Sequence, residues 1–225
     1  MKYIFKVVEK FVSINGEGNT AGQLAVFIRF AGCNLKCSYC DTLWANDVNR
    51  VSYEEMSAEN VFDYIKETGI RNVTLTGGEP LLQEGSLQLL SLLAFDNNLR
   101  VELETNGSID LINFIKIKPN RPIFTMDYKL SSSRMEHEMK VSNFELLSSQ
   151  DTVKFVVGDV SDLEAAKSLI CKYHLTDKCS VHFSPVFDKI NMQTIVEFMK
   201  QNKMNGVRLQ PQLHKIIWHP SMRGV

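Results

Sequence analysis

Short apolar runs rich in β-branched residues alternate along this chain with stretches whose apolar positions return every three or four residues. The runs at 24–30 (LAVFIRF), 72–76 (NVTLT), 100–105 (RVELET), 123–128 (IFTMDY), 152–157 (TVKFVV), 180–184 (SVHFS) and 206–210 (GVRLQ) predict strands. Between most of them the period changes to that of a helix. After Ser57, an N-cap residue, Ala58, Val61, Phe62 and Ile65 form one apolar face. Leu163, Ala166 and Leu169 form another, with Ser161 and Asp162 at its start, and Met192, Ile195, Val196 and Met199 form a third, whose methionines read as core packing.

Strand–helix alternation calls for a parallel sheet covered by helices. The pattern predicts an α/β fold, a partial (β/α) barrel of about six parallel strands with some helices abbreviated; an open doubly wound sheet is the alternative. In both, chemistry gathers at the carboxyl ends of the strands. Turn-forming and polar residues stand there: Gly77-Gly78-Glu79-Pro80, Thr105-Asn106-Gly107, Ser131-Ser132-Ser133, Gly158-Asp159 and Ser184-Pro185-Val186.

Composition narrows the class. With 225 residues the chain suits one domain, taken here as 1–225, and no low-complexity tract or linker divides it. A net charge of -1 without a block of like charges argues against a nucleic-acid-binding surface. The opening MKYIFKVVEKFVSING is broken by Lys6, Glu9 and Lys10 and does not read as a signal peptide, and no apolar run approaches the roughly 20 residues of a membrane span. Five cysteines, an odd number, fit a reducing compartment, so a cytoplasmic location without membrane partners is expected.

Three of those cysteines, Cys33, Cys37 and Cys40, stand in one loop, AGCNLKCSYCDT, directly after the strand at 24–30. Three thiolates can hold three irons of a [4Fe-4S] cube and leave the fourth open to a small molecule. A zinc ion would need a fourth ligand from elsewhere, from Cys171, Cys179 or a histidine. Ordinary half-buried thiols are the remaining option, and the preferred one for Cys171 and Cys179.

The C-x3-C-x2-C spacing, with Tyr39 before the last cysteine and Gly77-Gly78-Glu79-Pro80 ending the next strand, resembles the radical S-adenosylmethionine (SAM) superfamily. Four stretches, SINGEG (13–18), FIRFAGCNLKCSYCDT (27–42), ETNGS (104–108) and QPQLHKIIW (210–218), are similar to its 7-carboxy-7-deazaguanine synthase family. The resemblance implies a radical SAM domain in which the methionyl end of SAM chelates the open iron and reductive cleavage yields a 5′-deoxyadenosyl radical. It further implies conversion of 6-carboxy-5,6,7,8-tetrahydropterin to 7-carboxy-7-deazaguanine with ring contraction and loss of ammonia, in queuosine and deazapurine biosynthesis. Mg²⁺, a flavodoxin or ferredoxin as electron donor, and a homodimer belong to the same expectation.

Residue by residue, the resemblance places SAM against Ser38, Tyr39 and Cys40, Gly77, Gly78 and Glu79, Glu104 and Asn106, Ser131, Ser132 and Ser133, and Ser184, Pro185, Val186 and Phe187. Glu79 would accept from the methionyl ammonium or shape its turn. The pterin is expected at Ile14, Asn15, Gly16, Glu17, Arg29, Thr76, Gln212, His214 and Pro220. Asn15 stands where the family commonly has Gln, one methylene longer. Arg29 would take the substrate carboxylate through its planar fork, or else form a structural ion pair with Glu17. Glu17, between two glycines, would accept from the guanidine-like N–H edge. The Thr42 hydroxyl would bind Mg²⁺, with Asp41 orienting a metal-bound water. Two other functions remain compatible with the residues: an enzyme that activates a glycyl-radical partner protein, and a non-catalytic iron–sulfur or zinc protein.

Overall fold

The computed structural model describes residues 3–225; Met1 and Lys2, the first two residues of the opening stretch, lie outside it. One nine-stranded sheet organises the chain. The strands are β1 (Ile4–Ile14), β2 (Leu24–Phe30), β3 (Glu54–Ser57), β4 (Asn72–Gly77), β5 (Arg100–Thr105), β6 (Ile123–Lys129), β7 (Thr152–Val157), β8 (Ser180–Pro185) and β9 (Val207–Leu209). Their order is β3-β1-β2-β4-β5-β6-β7-β8-β9. From β2 through β4 to β9 every pairing is parallel, so seven strands form the parallel part. β1 and β3 add an antiparallel margin that the strand pattern above does not include.

Within the parallel strands the two faces differ in chemistry. Val26, Ile28 and Phe30, Val73 and Leu75, Val101 and Leu103, Phe124 and Met126, Val153 and Phe155, and Val181 and Phe183 join one apolar core under the helices. The alternate positions carry Thr74 and Thr76, Glu102 and Glu104, Thr125 and Asp127, Lys154, and His182 and Ser184, which bond among themselves, to the loop after β1 or, for His182, to Gln210 just past β9. A parallel sheet with helices on both faces reads as nearly continuous apolar runs. Polar residues at every second position mean instead that one face lines a polar interior, which selects the partial barrel over the open doubly wound sheet.

The sheet curls strongly. β1 and β9 are seven strand steps apart, roughly 34 Å if the sheet were flat. Yet the loop after β1 reaches the far end: Gly18 N–H donates to Gln210 Oε1, just past β9, at 2.8 Å.

Helices α1 (Ala58–Thr68), α2 (Ser86–Ala94), α3 (Val160–Tyr173), α4 (Leu175–Lys178), α5 (Met192–Gln201) and α6 (Leu213–Ile217) follow the strands. The Ser57 hydroxyl caps α1 by accepting from Asn60 N–H at 3.2 Å, and Gly69 ends it with φ 70°. Asp159 caps α3. The crossovers from β5 to β6 and from β6 to β7 carry only 3-10 turns, so the abbreviated helices are those two. On α5 the buried residues are Ile195 and Phe198, with Met199 packed against the core, while Met192 and Val196 are exposed. The core-packing expectation therefore fails for Met192, because α5 packs on α3 and β9 at the end of the sheet, with no strand beyond β9. No helix among the described residues is long and apolar enough to cross a membrane.

Candidate active site

The carboxyl ends of β4, β5 and β6 meet the three-cysteine loop. That loop is docked on the glycine-rich end of β4 by backbone bonds: Gly78 N–H donates to Phe30 C=O at 3.2 Å, and Glu79 N–H to Gly32 C=O at 2.8 Å. The approach is possible because the residues are glycines. A Cβ at Gly78 would overlap the Gly32 carbonyl and lie 2.9 Å from Cys33 Cβ, and Gly77 adopts φ 139°. The two motifs thus form one contact, and the glycines serve it whatever they do toward a ligand.

The Glu79 side chain faces away from the mouth. It is fully buried, and its oxygens accept from Asn106 N–H at 2.7 Å, Leu81 N–H at 3.1 Å and the Thr105 hydroxyl at 2.9 Å. Burial pushes its carboxyl up to about 7 against these donors. These bonds tie the Gly-Gly-Glu-Pro turn to the end of β5.

Cys33, Cys37 and Cys40 are half-buried and unpaired by disulfide. Burial raises Cys33 and Cys37 above the ordinary thiol range, and charge on the neighbouring thiols adds to it, so the three sulfurs sit within electrostatic reach of one another. N–H groups point at them: Leu35 N–H to Cys33 Sγ at 3.4 Å, Asn106 Nδ2 to Cys33 Sγ at 3.7 Å and Asn46 Nδ2 to Cys40 Sγ at 3.6 Å. Lys129 supplies positive charge beside Cys37. A set of three thiols with N–H donors and a cation around them fits a thiolate-bound iron–sulfur cluster. Among the described residues no three Cys, His, Asp or Glu side chains are placed to hold a single metal ion, and Cys179 is buried in the apolar core.

Around this loop the serine stretch is held tightly. Ser38 N–H donates to Ser133 C=O at 3.0 Å, and its hydroxyl to Ser132 C=O at 2.6 Å. Asp162, fully buried in the first turn of α3, accepts from Ser131 Oγ at 3.1 Å, Ser132 N–H at 3.2 Å, the Ser132 hydroxyl and Gly158 N–H at 2.8 Å. The sequence marks Asp162 only as a helix-start residue; its second role depends on β6 and β7 lying side by side. The segment Ser184 to Phe187 comes near the cysteine loop through Lys215, which pairs with Asp41 at 2.7 Å and lies 6.0 Å over the Phe187 ring. Asp41 therefore already has a cationic partner.

Below this rim lies a charged interior. Glu17 is buried; its carboxylate pairs with Lys154 on β7 and accepts from the Ser184 hydroxyl at 3.2 Å. Lys154 also pairs with Asp127 at 2.8 Å, and Asp127 with Lys129 at 2.9 Å. Burial would lower Lys154, but Asp127, Glu17 and Glu104 outweigh it and raise it well above the usual lysine value. Glu104, bonded by the Thr76 hydroxyl at 2.6 Å, is pushed by burial up to about 7, with Lys154 opposing.

Other expected residues fall as follows. Arg29 points to the inner face, but its ion partner is Glu9 at 2.9 Å, not Glu17; β1, absent from the expected strands, supplies that carboxylate. The Asn15 amide is engaged within the protein, donating to Thr20 Oγ1 at 2.6 Å and accepting from the Thr74 hydroxyl at 2.7 Å. Asn106 Nδ2 donates to Asn34 Oδ1 at 3.0 Å. The His214 ring packs on Gly16, and the backbone of Leu213 donates to Gly16 C=O at 3.1 Å. Gln212 is half-buried at the start of α6, Ile14 ends β1, and Pro220 lies exposed in the tail. Thr42 Oγ1 stands 3.6 Å from Cys40 Sγ.

Sequence reasoning missed Lys154, Asp127, Lys129, His182 and Gln210. The available signal was a charge in the middle of TVKFVV and IFTMDYK, which a strand buried on both faces would not tolerate.

Residues 27–127 match the radical SAM superfamily model. The chain is 59% identical to the 7-carboxy-7-deazaguanine synthase of Clostridium acetobutylicum, over 98% of this chain and 99% of that one. It is 36% identical to the enzyme of the same name from Chlorobaculum tepidum, over 97% and 96%. The fold aligns with the crystal structure of QueE from Escherichia coli at TM-score 0.73 and 24% identity, covering 93% of this chain and 94% of that one. With three thiols docked on a Gly-Gly-Glu turn above a charged barrel interior, and with relatives matched along their whole length, the chain belongs to the 7-carboxy-7-deazaguanine synthase family of the radical SAM superfamily.

Proposed function

We propose that this protein is the carbon–nitrogen lyase that contracts the ring of 6-carboxy-5,6,7,8-tetrahydropterin to 7-carboxy-7-deazaguanine with loss of ammonia, on the way to queuosine and other deazapurines. The observation that carries the proposal is the cysteine loop docked on Gly77-Gly78 directly above an interior built of Glu17, Lys154, Asp127 and Glu104. When bound by Cys33, Cys37 and Cys40, a [4Fe-4S] cluster together with SAM supplies a carbon radical able to abstract hydrogen.

The chain's own residues orient the small molecules. The backbone of Gly77, Gly78 and Glu79, the stitched Ser38 and Ser131–Ser133 segment, Asn106, Glu104 and the turn from Ser184 to Phe187 surround the place for SAM, with Tyr39 and Cys40 at its edge. Arg29, swinging between Glu9 and a ligand, offers a fork for the pterin carboxylate. Glu17 keeps lone pairs free beyond those used by Lys154 and Ser184, enough to accept a guanidine-like N–H edge. Ile14, Asn15, Gly16, Thr76, Gln212, His214 and the tail at Pro220 complete the substrate wall, with Asn15 acting through the loop it braces. Thr42 supplies one oxygen to Mg²⁺, the remaining ligands coming from substrate and water. The chain works as a single domain, 1–225, in the cytoplasm, as a homodimer served by a flavodoxin or ferredoxin.

The test is anaerobic reconstitution with iron and sulfide, then SAM, dithionite and the carboxytetrahydropterin, with mass detection of a product lighter by one ammonia. Turnover without any protein partner supports the proposal and removes the activating-enzyme reading. SAM cleavage with no change in the pterin overturns it. Thr42→Ala is expected to shift the Mg²⁺ dependence of turnover while leaving SAM binding intact; equal loss of both would remove Thr42 from the metal.

A further inference from the structure

The loop that carries Glu17 has a glycine on each side, and Gly18 adopts φ 76°. Such a segment has more conformational freedom than one without glycines. A carboxylate on it can meet a rigid flat ring reproducibly only if something fixes the backbone. Leu213 N–H holds the Gly16 carbonyl at 3.1 Å, and on the other side of Glu17 the fixing element is Gln210. Its side-chain amide closes a two-bond ring with the Gly18 peptide: Gly18 N–H donates to Oε1 at 2.8 Å, and Nε2 donates to Gly18 C=O at 2.9 Å.

This ring settles the chemistry of its neighbour. The backbone N–H can only donate and the carbonyl can only accept, so the two ends of the Gln210 amide are assigned without ambiguity. His182 Nδ1 lies 2.9 Å from the oxygen end. An oxygen cannot donate, so Nδ1 carries the proton. His182 is fully buried on the inner face of β8, level with Lys154 on β7 and Arg208 on β9. Its Nε2 is buried with no partner. A second ring proton would be stranded there without an acceptor; burial, with Arg208 and Lys154, outweighs the Gln210 oxygen and the Glu17 carboxylate and lowers the imidazole, which keeps the ring neutral and the single proton on Nδ1.

We infer that His182 and Gln210 are positioning residues for Glu17: neutral His182 holds the Gln210 amide, Gln210 clamps Gly18, and the clamp sets the Glu17 carboxylate against the substrate. The inference rests on the reading of Glu17 as the group that meets the pterin. It concerns two residues that do not touch the reacting atoms, and it assigns the tautomer of one of them.

Two measurements test it. The first needs no cofactor or turnover. In the full-length protein labelled with 15N-histidine, His182, assigned by the signal lost in His182→Asn, is expected to show a protonated Nδ1 and a bare Nε2; a protonated Nε2 overturns the inference. The second compares variants on the reconstituted enzyme. Asn places its Nδ2 where His has Nδ1, whereas Gln reaches only the Nε2 position. His182→Asn should keep the KM for the carboxypterin within about threefold, while His182→Gln, His182→Leu and Gln210→Glu should raise it about tenfold or more, the loss of one hydrogen bond. SAM cleavage measured without pterin should be unchanged in all four. If Asn rescues no better than Leu, or if KM does not move in any variant, the clamp is not what positions Glu17. Should wild-type enzyme leave the pterin untouched, the functional reading fails, and the tautomer measurement still decides the clamp itself.

Discussion

At the scale of single residues, two positions at the end of β4 illustrate how local chemistry serves the site. Gly78 has no room for a side chain because the cysteine loop lies against it. Gly78→Ala is expected to push Gly32 and Cys33 away, and anaerobic reconstitution should then yield well under half the iron per chain bound by wild type. Retention of the full iron content would show that the loop can yield at no cost. Glu79, its neighbour, is an acid whose burial raises its pKa from 4.5 to about 7. Between these values the folded state holds a proton that the unfolded state has released, so stability falls as pH rises. The stabilising contribution is fully present below pH 4.5 and is lost as pH passes about 7. Thermal unfolding of the metal-free protein should therefore show a decline across that window that is flattened in Glu79→Gln, by up to about 3 kcal/mol. An identical pH profile for the two proteins would contradict this. The type and place of Gly78 and Glu79 were legible in the sequence, since Gly-Gly-Glu-Pro at a strand end is a local signal. That Glu79 turns inward to Thr105 and Asn106 was not, because those partners come from the next strand.

At the scale of elements, α3 does more than cover the sheet. Its first turn buries Asp162, which gathers Ser131, Ser132 and Gly158 and so holds the serine stretch against Ser38. Asp162→Ala would leave buried N–H and O–H groups without an acceptor, costing about 2–4 kcal/mol of stability. It should also weaken SAM binding about tenfold, measured by titration calorimetry on the reconstituted enzyme. Loss of stability with unchanged SAM affinity would confine Asp162 to a structural role. The helix itself was readable from Leu163, Ala166 and Leu169 in register. The antiparallel margin, β1 and β3, was not: the charges of β1, at Lys6, Glu9 and Lys10, break the apolar runs by which strands are recognised. One of those charges, Glu9, turns out to pair with Arg29 across the β1–β2 ladder.

At the scale of the whole molecule, the curl of the sheet brings the two ends of the chain's strand order together over a charged interior. Lys154 joins them, contacting a loop 137 residues earlier in sequence. It pairs with Glu17 and with Asp127, whose second partner is Lys129. Lys154→Met removes the cation and leaves the buried Glu17 carboxylate without an ionic partner, while Asp127 keeps Lys129, a change expected to cost about 3–5 kcal/mol. Urea unfolding of the metal-free protein measures it, and a cost under about 1 kcal/mol would mean that the interior is wet enough to screen the pair.

The sequence alone determined whatever depends on neighbours along the chain: the spacing of three thiols, the glycines at strand ends, the Ser57 cap of α1, and the alternation that makes a parallel α/β sheet. These follow from residue type and a fixed backbone repeat, so a few adjacent positions contain the whole signal. The start of α3 lies earlier than the expected Ser161 and Asp162, with Asp159 as its cap. Tertiary structure alone decided the pairings that cross the barrel: Lys154 with Glu17, Asp162 with the serines, Arg29 with Glu9, and Gln210 with Gly18. Each joins groups from separate strands or loops, and which of them meet depends on how far the sheet curls, a property of all nine strands packed together.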